Sequence, residues 1–100
     1  MKILAIEHEL PGVTSADFTP GLTRAEAARA WELYQAGTFR EIYFCRDYPS
    51  AVLILECADV AEAEEILDTL PLVKAGLITF ELMPLIPYPG FARLFGEDMA

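Results

Sequence analysis

The sequence predicts one small α+β domain, a ferredoxin-like βαββαβ sandwich in which a four-stranded antiparallel sheet carries both helices on one face. Three observations predict it: apolar periodicity that alternates between strand and helix spacing in that order, two capping-box pairs that open helical stretches, and a turn of hairpin length between the two middle strands. The apolar character of both sheet faces adds a further expectation, that two such sheets pair as a dimeric α+β barrel.

Lys2 to Leu10 begins apolar, becomes polar and meets Pro11 and Gly12, as a first strand running into a break. Val13 to Gly21 mixes Thr, Ser, Asp, Pro and Gly around Phe18 and reads as a loop long enough to cover something. Thr23 stands three residues before Glu26, the reciprocal pair that satisfies free amides at a helix start, and Gly37 supplies a left-handed stop. The helix between them presents Ala27, Ala30, Trp31 and Tyr34 to the core and Arg24, Arg29, Glu32 and Gln35 to water.

Phe39 to Cys45 and Ala51 to Cys57 are rich in aromatic and branched residues, with turn chemistry from Asp47 to Ser50 between them. Asp59 and Glu62 repeat the capping pair. After them Val60, Ala63, Ile66, Leu67 and Leu70 trace an apolar stripe while Glu62, Glu64, Glu65 and Asp68 form a solvated face, and Pro71 ends the helix. Gly76 to Met83 reads as the fourth strand, and Pro84, Pro87 and Pro89 break any ladder beyond it. Residues 1–86 are thus the domain, and 87–100 form a tail whose aromatic and aliphatic side chains need cover, from its own domain or a neighbouring subunit.

Composition sets the outer bounds. With 54% of 100 residues hydrophobic, the chain carries more apolar material than one small core hides, which favours a subunit interface. A formal charge of -9 repels phosphate backbones and anionic membranes, so nucleic acid and membrane partners are not expected. No leader-like segment or spanning run stands out, and a soluble cytoplasmic protein is the expectation. Cys45 and Cys57 read as small buried hydrophobes on opposite sheet faces, not as a disulfide.

With Arg46 opposite Ala51 across the hairpin, Phe44 and Ile42 share the helix face with Leu53 and Leu55, while Cys45, Tyr43 and Glu41 share the open face with Val52, Ile54 and Glu56. On the fourth strand Ile78, Phe80 and Leu82 take one side and Leu77, Thr79, Glu81 and Met83 the other. Two open faces brought together would enclose a largely apolar chamber with Tyr43, Glu56 and Glu81 inside it.

The runs Gly37 to Tyr43, Ile66 to Leu72 and Ile78 to Leu85 resemble the corresponding blocks of the muconolactone isomerase family. The more specific part is Leu-Asp-Thr-Leu-Pro-Leu followed by a strand ending in Met-Pro-Leu. The resemblance implies a dimeric α+β barrel, often assembled into larger rings, and a double-bond shift in an unsaturated lactone bearing a carboxylate. Leu4 and Ile6 depart from the family pattern, where a polar and a basic side chain stand. An ungapped match directs Leu4, Ile6 and His8 to the barrel and Ile3, Ala5 and Glu7 to the helices.

Such a shift needs a base for a carbon-bound proton, a donor to the enolate oxygen and an acid to return the proton. His8, Tyr43, Glu56 and Glu81 are the candidate catalytic groups, with burial expected to raise Glu56 or Glu81 toward neutrality. Ile6, Ile54, Thr79 and Arg93 are the candidate substrate contacts. The ligand is then small and apolar or weakly polar, and neither metal nor cofactor is expected. A cofactorless oxygenase of the same barrel type and a binding or assembly module without chemistry are the competing readings. Phosphate-loop, metal-ligand and serine-elbow motifs do not appear.

Overall fold

A computed structural model describes residues 1–96. Strands β1 (Lys2–Glu9), β2 (Phe39–Phe44), β3 (Ala51–Glu56) and β4 (Ile78–Leu85) form one antiparallel sheet in the order β2-β3-β1-β4. Helices α1 (Pro20–Gln35), α2 (Val60–Leu67) and the single turn α3 (Pro71–Lys74) complete the βαββαβ sandwich. Short 3-10 segments occupy Ser15–Asp17 and Pro89–Phe95. Among the described residues no helix is long and apolar enough to cross a membrane.

The core lies between the sheet and the helices. Ile3 and Ala5 of β1, Leu53 and Leu55 of β3, Phe39, Leu33, Ala63, Leu67 and Leu70 make one buried cluster. Each large side chain there contributes roughly 1.5–3 kcal/mol by leaving water. Alternation along β1 is clean: Ile3 and Ala5 are buried while Leu4 and Ile6 remain half-exposed on the other face.

Helix α1 starts a turn earlier than the capping pair predicts. The Thr19 hydroxyl accepts the Leu22 amide at 3.3 Å, and Pro20 takes the first helical position, where a missing N–H costs nothing. Thr23 instead donates its hydroxyl back to the Thr19 carbonyl, and Glu26 is free for another task. The helix is also rotated from the expected setting. Leu33 is its buried residue, with Leu22, Glu26, Arg29 and Ala30 half-buried, whereas Trp31 (58% exposed) and Tyr34 stack on each other at the surface. Arg29, expected in water, reaches Thr69 at 2.9 Å.

The hairpin register differs from expectation by two residues. Phe44 lies opposite Ala51, Ile42 opposite Leu53 and Glu41 opposite Ile54, with a bulge at Arg40. Cys45 donates to the Ser50 carbonyl, leaving Arg46 to Pro49 as the loop. A slip of two preserves every side chain's face, because the strand period is two, so the expected division of faces stands. The second helix has the predicted stripe, with Asp59 capping the Glu62 amide at 2.8 Å, but it ends at Leu67, and Pro71 opens α3 instead of closing α2. Strand β4 extends to Leu85 and includes Pro84, which is tolerated because β4 is an edge strand with no neighbour beyond it to receive a hydrogen bond.

Candidate functional site

The open sheet face carries Leu4, Ile6, Val52, Ile54 and Met83 half-exposed, with polar groups set around them. His8 and Glu81 meet there, Nε2 to Oε1 at 3.1 Å, across the β1–β4 pair, and Thr79 stands opposite His8. Both partners are more than half exposed in the single subunit. Ile6 lies opposite Glu81 on one side and Val52 on the other, at the middle of the face.

The rest of the predicted set does not converge with that pair. Tyr43 sits on the opposite edge strand, two strand spacings (roughly 10 Å) from the strand of His8 and three (roughly 14 Å) from that of Glu81, and donates its hydroxyl to Glu41 at 2.7 Å. That bond to a carboxylate pushes the phenol above its usual range. Glu56 lies beside Lys2, roughly 20 Å down β1 from His8, and accepts the Met1 ammonium at 2.6 Å. This ion pair lowers the Glu56 carboxyl, opposite to the rise expected from burial. Ile54 lies opposite Leu4, and Arg93 sits in the exposed tail segment, apart from every other candidate.

On the helix side the structure shows a site the sequence reading left out. A cavity of about 580 Å³ opens between α1, the loop before it and the hairpin end of the sheet. Phe39, Leu53, Ile78 and Phe80 form its floor, and Val13 and Phe18 bring the 13–18 loop over it. Three carboxylates, Glu7, Glu9 and Glu26, line this mostly apolar space, and two of them are anchored by backbone amides. Glu7, from β1, accepts the Ala51 amide at 2.7 Å, and the Ser50 hydroxyl fixes the same strand segment by donating to the Glu7 carbonyl at 2.8 Å. Glu26, from α1, accepts the Leu72 amide at 2.9 Å.

Desolvation pushes both carboxyls up, against the pull of those amide bonds, and the charge of Glu7 raises Glu26 further. A cavity of this size and character, with convergent groups of shifted acidity, has the form of a small-molecule site. The direction of Glu7 is the one that the ungapped family match implies. Glu26 was hidden by its helix-cap position, since the sequence offers the same two residues, Thr23 and Glu26, for either role.

No curated protein matches the chain in sequence. Among solved structures, 5-chloro-2-hydroxyhydroquinone dehydrochlorinase from Burkholderia phenoliruptrix AC1100, in complex with 2,5-dihydroxybenzoquinone, is similar in fold. Its TM-score is 0.69 at 18% identity, with 90% of this chain and 98% of that chain covered. The family profile described as muconolactone delta-isomerase matches residues 3–90, nearly the whole described domain. The chain therefore belongs to the muconolactone delta-isomerase family.

Proposed function

We propose that the protein is a cofactor-independent isomerase that moves a double bond by proton transfer in a small unsaturated ring, working as a homodimer in the cytoplasm. The observation that carries this reading is the pair Glu7 and Glu26 in one apolar cavity, both shifted toward neutrality by burial. The charge of Glu7 adds to the rise at Glu26, and this reading gives Glu7 the part of the base and Glu26 that of the acid. Glu7 as carboxylate takes a proton from carbon beside a carbonyl. The electron pair moves into the ring as an enolate, Glu26 as carboxylic acid hydrogen-bonds the oxygen, and the proton returns at a different carbon. Atoms and electrons balance within the substrate, and no redox partner is needed. A ring of the size of 2,5-dihydroxybenzoquinone, the compound held by the Burkholderia dehydrochlorinase, fits well within the cavity volume.

The dimer rests on the open face. Leu4, Ile6, Val52, Ile54 and Met83 form an apolar centre that a second copy of the same face would cover, closing an α+β barrel. Covering it buries His8 and Glu81, and a second reading places the proton transfer there, with Ile6, Ile54 and Thr79 as contacts and Tyr43 and Glu56 brought in from the partner's side. The hydrogen bond already formed between His8 and Glu81 favours it.

Incubation with unsaturated lactones in deuterated water tests both. Label in recovered substrate or product, lost in Glu7→Gln and kept in His8→Ala, supports the cavity. The reverse pattern supports the barrel chamber, and no label with any lactone would count against an isomerase.

A further inference from the structure

We infer that the cavity between α1 and the sheet accepts an uncharged ring carbonyl compound, a lactone, ester or quinone-like ring, and discriminates against the same ring bearing a carboxylate. The inference rests on reading this cavity as the reactive site and adds the charge class of what enters it.

The lining makes the case. Its ionisable groups are all acids, Glu7, Glu9 and Glu26, and none of the seven Lys and Arg residues nor His8 lines it. Three of those cations are held elsewhere: Arg29 by Thr69 at 2.9 Å, Arg40 by the Gly37 carbonyl at 2.6 Å and Arg46 by Asp47 at 3.0 Å. A carboxylate entering an apolar space needs a counter-charge or several hydrogen-bond donors to replace water. The two backbone amides donated toward the cavity's acids, from Ala51 and Leu72, are already engaged by Glu7 and Glu26. Of the lining hydroxyls, those of Thr14 and Thr23 donate to their own turns, which leaves that of Ser15 for a ligand. An anion would therefore meet like charge with no cation to offset it and a single lining hydroxyl, that of Ser15, to replace water, inside a molecule whose net charge of -9 already repels it.

A neutral carbonyl meets the opposite situation. Its oxygen is an acceptor that carries no charge to repel the acids, and a carboxyl whose proton affinity is raised by burial is, in its protonated form, a donor suited to it. Aromatic and aliphatic walls, Phe18, Phe39 and Phe80 among them, supply the remaining contact at no cost in charge.

The test compares one ring in two charge states: (5-oxo-2,5-dihydrofuran-2-yl)acetic acid and its methyl ester, titrated into the full-length protein at about pH 7.5. Affinity is read by calorimetry and location by the amide resonances of Ala51 and Leu72. The expected result is binding of the ester at least about tenfold tighter than the acid, with both amides shifting, and a narrower gap in Glu7→Gln/Glu26→Gln. Equal or tighter binding of the acid would overturn the inference, as would failure of the ester to move either amide.

Deuterium exchange separates this from the isomerase reading. An ester that binds the cavity without exchanging label leaves the charge preference standing and removes the chemistry. An acid that binds and exchanges as well as the ester does the reverse.

Discussion

Glu7 and Glu26 reach the same cavity from facing walls, and each is held by a single backbone amide through its Oε1, from Ala51 and Leu72 respectively. The anchor fixes the carboxyl without consuming it, since Oε2 of each remains for a proton. The two elements that carry them are joined through the core, so the separation of the pair is set by packing of α1 on the sheet and not by a loop.

Glu7→Gln keeps an acceptor for the Ala51 amide and removes the base. Turnover of a lactone that the wild type isomerises should fall about 10²–10⁴-fold, the usual worth of a positioned base, with KM changed by less than about threefold. Steady-state kinetics on the two proteins checks it. A mutant retaining full turnover would remove Glu7 from the reaction.

The same two carboxyls make stability depend on pH with a definite sign. Their folded-state affinity for protons exceeds the unfolded one, so the native state binds more protons through that window and stability falls as pH rises from the ordinary carboxylate range to the raised value. Glu56 acts oppositely: its lowered carboxyl adds stability above the ordinary range that is lost as pH falls through the folded value. The double variant Glu7→Gln/Glu26→Gln should therefore melt higher than wild type at about pH 8 and show little or no gain at about pH 4. Thermal scans at both values decide it, and a lower melting temperature at the higher pH would contradict the burial argument.

Much of this was legible before the coordinates. The ungapped match to the family's first strand directs Ile3, Ala5 and Glu7 to the helix side, and the apolar stripe Val60, Ala63, Ile66 and Leu67 of α2 was plain because it separates from Glu62, Glu64 and Glu65. The setting of α1 was not legible. Trp31 and Tyr34 are more hydrophobic than Glu26 and Arg29, so periodicity points them inward, yet α1 turns Leu33 to the core beside Phe39, and the polar pair finds partners in Leu72 and Thr69. The cavity followed the same course. The 13–21 run reads as a loop long enough to cover something, but nothing local says that what it covers is a space between α1 and the hairpin end of the sheet. His8 and Glu81 meet, but Tyr43 and Glu56 do not join them within one subunit, because facing the same side of a sheet does not bring together residues from distant strands or opposite strand ends.

The start of α1 can be checked directly. Thr19→Ala removes the cap on the Leu22 amide and should cost about 1 kcal/mol of unfolding free energy, while Thr23→Ala, within the first turn, should cost less than about half of that. Urea denaturation of the two variants distinguishes the observed start from the one expected from the capping pair, which would reverse the order.

Assembly through the open face predicts a charge-sensitive dimer. Val52 sits at the centre of that face, opposite Ile6 on β1 and Tyr43 on β2. Val52→Lys puts an ammonium where two apolar faces would meet, leaves the helix-side core untouched, and should weaken self-association at least about 100-fold. Sedimentation equilibrium on wild type and variant measures it. A wild type that stays monomeric at tens of micromolar would remove the barrel altogether.

The tail supplies the last prediction. Tyr88 folds over Gly90, where a side chain would collide with its ring, and meets Phe91 edge to face at 5.0 Å. The segment is thus locally shaped, yet Phe91, Leu94 and Phe95 are 66–81% exposed and the molecule is drawn out to 57 × 28 × 23 Å. Side chains so exposed add almost nothing to the stability of their own domain, and the assembly proposed above would give their apolar area a role against a neighbouring subunit. Ending the chain after Ile86 should leave the unfolding free energy of the isolated domain within about 0.5 kcal/mol and lower the oligomer's association constant at least about tenfold. Chemical denaturation at low protein concentration and light scattering at high concentration read the two effects separately. A large loss of domain stability with unchanged association would mean that the tail folds back on its own sheet.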